Sequence, residues 1–166
     1  METKTVSHRI ESFLVLYDMQ TKFFSSVLNG ISDEKAHERL NTKANHIAWL
    51  VGSLVEQRFE MANDIDNTIN MEQTGHELFK NFQGIQDGIS YPTLNKYIED
   101  WNNISPILRK ALAGVTEEIL NSSQEMGGMQ MTIFDMVSFC IYREANCIGQ
   151  IALWRRLLGY EAMKYD

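Results

Sequence analysis

The chain has little of several things, and each scarcity removes a class of protein. No run approaches the roughly 20 apolar residues that a bilayer span needs, and the opening METKTVSHRIE lacks the apolar stretch of a secretion signal. A cytoplasmic protein with no membrane partner is expected. Cysteine is limited to Cys140 and Cys147. Within one expected helix these stand about 10 Å apart, beyond disulfide reach, so both should be reduced thiols. Basic side chains are outnumbered, 15 Lys and Arg against 22 Asp and Glu, and the net charge of -7 speaks against nucleic acid as a partner. Such binding depends on clustered cations that displace counterions. The densest basic group, Arg155-Arg156, reads as a solvated helix end favoured by the dipole. There is no P-loop, no Rossmann glycine fingerprint, no G-x-S-x-G elbow and no HExxH pair. Strand signals are scarce throughout.

What is present is helical periodicity over a length that suits one core, so residues 1–166 are expected to form a single domain. Ile10, Phe13, Leu14, Tyr17, Phe24 and Leu28 recur at three- and four-residue intervals and predict a helix over about 6–28, stopped by Asn29-Gly30. Ser32 can cap a short turn carrying Asp33 and Glu34. A second helix is expected from about Thr42 to Ala62, with His46 near its start. Residues 63–91 are rich in Asn, Gln, Asp and Gly and read as a long connection, with a brief amphipathic piece around His76 to Phe82. A third helix follows Tyr91-Pro92-Thr93, and Pro106 predicts a kink or a restart capped by Ser105. Thr116 to Leu120 adds a turn, and QEMGGMQM reads as a flexible loop whose methionines pack adaptably beside a pocket. The last helix should open on a capping-box-like Thr132/Asp135 pair and run to Gly159. Four long helices with one extended crossover, between helices 2 and 3, make an all-α four-helix bundle.

On a wheel of 100° per residue, Arg143 points with Met136, Phe139, Cys147, Gln150, Trp154 and Leu157, a direction expected to be the bundle interior. An arginine there demands partners, because an unpaired buried guanidinium is costly. His8, His37 and His76 sit in polar surroundings and read as surface residues.

NHIAWLVGSLVE together with REANCIGQIALWRRLLGY resembles the DinB superfamily, also called YfiT-like proteins, and the resemblance extends through YPTLNKYIEDWNNISPILRKAL to essentially the whole chain. It implies a bundle of this kind and a homodimer. It further implies a divalent metal, zinc or nickel, held by one His of the second helix and two His in an H-E-x-x-H-x-G-Q pattern on the last. The two would converge from adjacent turns. Carried over, these ligand positions fall on His46, Arg143 and Cys147, while Glu144, Gly149 and Gln150 match the pattern. Arginine offers donors only and repels a cation, so the expectation is a pocket without metal. That pocket, at His46, Arg143 and Cys147 with Gln150 and Glu144 as neighbours, would take a small anionic molecule. The alternatives are a metal-dependent hydrolase or thiol S-transferase as in the family, a metal-free site with Cys147 as nucleophile, and a bundle that serves only in assembly.

Overall fold

The computed structural model describes residues 6–165. Its long helices are α1 (Glu11–Leu28), α3 (Ile47–Ile65), α4 (Leu94–Gly114) and α6 (Ile133–Leu157), with single-turn helices α2 (Asp33–Ala36) and α5 (Glu117–Leu120) between them. Four long helices packed round one core form the expected all-α bundle. Among the described residues, none of these helices is long and apolar enough to cross a membrane.

Side-chain bonds to backbone fix the helix directions. Tyr17 Oη donates to Ser105 O at 2.8 Å and Trp101 Nε1 to Thr21 O at 3.3 Å, so α1 and α4 run antiparallel. Gln57 Nε2 donates to Cys140 O at 3.1 Å and Trp154 Nε1 to Asn45 O at 3.0 Å, so α3 and α6 also run antiparallel. Gln20 reaches Ile141 O and Arg155 reaches Val27 O, which makes α1 and α6 parallel. The packed neighbours α3 and α4 are then parallel to each other. A parallel pair needs a connection that travels back along the bundle, roughly 28 Å for a helix of 19 residues. This is why residues 66–93 form a long crossover.

Several local expectations change. The second helix starts at Ile47, not Thr42, because Leu40 and Asn41 take left-handed φ of 46° and 58°. The Arg39 guanidinium then holds the turn by donating to Lys43 O and Ala44 O. Pro106 does not restart its helix: α4 is continuous through it. Pro106 and Asn102, whose carbonyl loses its helical donor, both lie on the solvent side, where water can serve instead. QEMGGMQM is a β-hairpin, β1 (Ser123–Met126) with β2 (Met129–Thr132), turned by Gly127 and Gly128 at φ 58° and 83°. Two glycines with positive φ supply the twist that a two-residue hairpin turn requires. Arg155 is buried, not solvated, and caps the end of α1 by donating to Val27 O and Asn29 O at 3.0 and 2.6 Å. The Thr132/Asp135 capping box and the left-handed Gly30 stop form as expected.

From Leu50 to Phe59 every residue of α3 is buried, including Ser53, Glu56, Gln57 and Arg58. The central helix therefore carries polar groups that must find partners inside the protein.

Candidate functional site

The α6 stripe buried against the core holds Val137, Cys140, Ile141, Glu144, Ile148, Ile151 and Arg155, and with them Met136, Cys147 and Trp154 of the expected stripe. Glu144, not Arg143, sits at its centre, whereas Phe139, Gln150 and Leu157 of the expected stripe are exposed. An apolar count centres the wheel on Arg143, whereas the buried set centres one position later, on Glu144. Glu144 can be fully buried because Arg58 of α3 meets it with two bonds, Nε to Oε1 at 2.7 Å and Nη2 to Oε2 at 2.8 Å. Arg58 Nη1 donates further to Thr21 Oγ1 and Ser105 Oγ, and its plane lies between the Trp101 ring, 3.5 Å away, and the Tyr17 ring, 4.0 Å away. Glu144 thus belongs to the core and not to a pocket.

Arg143, at the edge of that stripe, turns toward α3. Its Nη1 donates to Gln57 Oε1 at 3.0 Å and Ser53 O at 3.3 Å, and its Nη2 to Ser53 Oγ at 2.7 Å. All three acceptors are neutral, and among the described residues no carboxylate lies within ion-pair distance of this guanidinium. The Nε–H and one N–H of Nη2 have no protein acceptor there.

Arg143 lines a cavity of about 260 Å³ between α3, α6 and the segment around Phe79. Trp49, Phe79, Phe82 and Phe139 give it aromatic walls, and Ser53, Glu56, Gln57 and Glu60 project into it from α3. These four polar residues recur at i, i+3, i+4 and i+7, so they share one helix face. A second chamber of about 300 Å³ adjoins it past Glu60 and Met126 of the hairpin. Glu56 is satisfied: His76 Nδ1 donates to its Oε1 at 2.5 Å and Gln73 Nε2 to its Oε2 at 2.7 Å. His76 is thereby tied to a residue that lines the site, and is not a free surface histidine. Glu60 has no hydrogen bond or ion pair with any described residue. Glu60 is exposed at the mouth of the concavity, whose surrounding protein pushes its carboxyl up to about 7, desolvation first and the Glu56 and Asp64 carboxylates next.

Of the five residues expected at the site, Arg143 alone lines this cavity. Cys147 and His46 lie further along the α3–α6 seam toward the start of α3. Gln150 is on the outside, bonded to Asn146 at 2.6 Å. His46 is buried at the cap of α3, where its Nδ1 accepts the Trp49 backbone N–H at 3.1 Å. Its ring packs against His37 and Tyr91 at centroid distances of 5.1 and 5.2 Å. Burial, then the neighbouring His37, lowers its pKa to about 4, so the ring is neutral at neutral pH. Cys147 is a free, buried thiol whose pKa burial raises, as is Cys140.

A divalent metal does not fit this donor set. One ring nitrogen of His46 is committed to its helix cap, Cys147 is biased toward its protonated form, and a guanidinium occupies the remaining position. Among the described residues no three His, Cys, Asp or Glu side chains converge closely enough to hold such an ion.

The sequence reading missed Ser53, Glu56, Gln57 and Glu60. Their signal was the polar row in SLVEQRFE at helical spacing, interrupting an otherwise apolar helix.

No protein-family model and no curated protein matches the chain. Among solved structures it is similar to a DinB-like protein from Bacillus cereus ATCC 10987, with a TM-score of 0.63 and 16% identity, over 93% of this chain and 96% of that one. At that identity the likeness shows the fold, and the fold is DinB-like.

Proposed function

We propose that this DinB-like bundle binds a compact molecule with an apolar body and an anionic group in the cavity between α3 and α6, the anionic group meeting Arg143. The supporting observation is a guanidinium at the cavity wall, held in place by neutral acceptors, with N–H donors to spare and, among the described residues, no carboxylate against it. Arginine's planar fork suits a carboxylate, phosphate or sulfonate, and ring-lined walls suit an apolar body. The hydrolase or thiol-transferase chemistry implied by the family would need an ion that these donors do not fit, so binding without metal is the better reading. Calorimetric titration with benzoate as probe tests it. Arg143→Gln should weaken binding at least tenfold, and elemental analysis of protein purified without chelator should find metal well below one equivalent. An Arg143→Gln protein that melts lower but binds benzoate as well as the parent would assign Arg143 a structural role and remove the proposal.

A further inference from the structure

We infer that the occupant of this cavity is a zwitterion, whose amine is received by Glu60 while its anionic group meets Arg143 and its apolar body lies against the aromatic wall. This deepens the reading of Arg143 given above and rests on it.

Neither charge has an ion-pair partner among the described residues, and the two are held apart. Glu60 lines both chambers and bonds to nothing described, whereas Glu56 one turn earlier is saturated by His76 and Gln73. Of the two carboxylates that line the chamber holding Arg143, the one open to a cation is therefore Glu60. Arg143 is tethered to Ser53 and Gln57, which keeps it from closing on Glu60. Glu60 follows Gln57 by three residues and Ser53 by seven on the same helix face. The receiving groups are thus separated along the axis by about 5–10 Å. A molecule spanning that gap carries its charges at opposite ends of its body, not on one carbon atom. The aromatic walls suit the same occupant, because ring faces attract an ammonium group and its flanking methylene. Glu60's raised pKa is consistent with a carboxylate that lacks its counter-charge, since an ammonium beside it would favour the ionised form.

The test uses the full chain at pH 8, where Glu60 is largely ionised, with 4-(aminomethyl)benzoate and its two halves, benzoate and benzylamine, as calorimetric probes. The zwitterion should bind at least tenfold tighter than benzoate. Glu60→Gln should abolish that gain and leave benzoate binding equal or tighter, whereas Arg143→Gln should abolish benzoate binding and spare benzylamine. Arg143→Lys, which keeps the charge, serves if the Gln variant fails to fold. It should retain benzoate binding weakened by several fold. A zwitterion no tighter than benzoate, or an affinity for it unchanged in Glu60→Gln, overturns the inference while leaving the Arg143 reading intact. Benzoate that fails to bind the parent, or that binds equally to the Arg143 variants, removes both.

Discussion

A guanidinium with no exposed surface must find its partners inside the protein, and Arg58 gives each of its three nitrogens at least one, among both Glu144 oxygens and the hydroxyls of Thr21 and Ser105. Removing one member leaves a full charge in a low dielectric, a loss of roughly 3–5 kcal/mol, whereas removing both leaves a cavity that apolar side chains can fill. Arg58→Met and Glu144→Leu should each lower the free energy of unfolding by about that much, and the double variant should recover most of the loss. Urea denaturation of the four proteins checks this; additive losses would mean that the pair is not a unit. Glu60 is the opposite case, a charge facing a cavity with Glu56 and Asp64 raising its pKa and His76 and Arg143 lowering it. Between the ordinary carboxylate value of 4.5 and about 7 the folded state holds a proton that the unfolded chain has released. Stability should therefore fall as pH rises through that window and level off above it. Glu60→Gln should melt like the parent at pH 4 and higher than the parent at pH 8. A parent curve flat from pH 5 to 7.5 would contradict the proton assignment. These residues also mark where the sequence was hard to read. An apolar count along α6 cannot distinguish an arginine at the stripe's edge from a glutamate at its centre, because Glu144 is tolerated there only through Arg58, 86 positions away.

At the scale of elements, what was legible followed from local rules, and what was missed depended on distant packing. The helix spans, the Gly30 stop and the Thr132/Asp135 box each need only neighbouring residues to specify them. The start of α3 depended instead on Arg39 holding the preceding turn, and the hairpin on reading Gly127-Gly128 as a turn and not as slack. The crossover was recognised as a connection, but its role as a cavity wall was not legible, because nothing local says that Phe79 lies against Gly52. A methyl group at Gly52 would come within 2.3 Å of Phe79 Cζ and 2.6 Å of Tyr97 Oη. This glycine is therefore required by close approach and not by backbone conformation. Gly52→Ala should push the segment around Phe79 outward, destabilise the fold by about 1–3 kcal/mol as overpacking does, and widen the cavity. The check is a urea midpoint together with amide exchange over residues 76–83. Unchanged exchange there would mean that the methyl is accommodated elsewhere.

For the molecule as a whole, an up-down-down-up order follows from which helix pairs are parallel, and that order places the cavity on the α3–α6 seam and leaves the outer side of the parallel α1–α6 pair covered only in part, by Met163 and Tyr165. The rest of that outer side exposes several large apolar side chains. Leu16 and Met19 of α1 and Tyr142 and Leu153 of α6 are between 43% and 66% exposed, and a groove of about 220 Å³ runs between the two helices over Phe23 and Ala152. Soluble monomers rarely leave contiguous apolar area of this kind open to water. A two-fold axis would let each copy offer the same two helices to the other, so that the patch is its own complement. We therefore expect a symmetric dimer through α1 and α6, with light scattering giving twice the mass of the 166-residue chain. Leu16→Glu combined with Met19→Glu should reduce that to one chain, because paired like charges would face each other across the axis. Since this face is separate from the α3–α6 cavity, the same variant should bind benzoate as the parent does. If the parent itself scatters as a single chain at tens of micromolar, the exposed stripe serves some other contact and the dimer is excluded at that concentration.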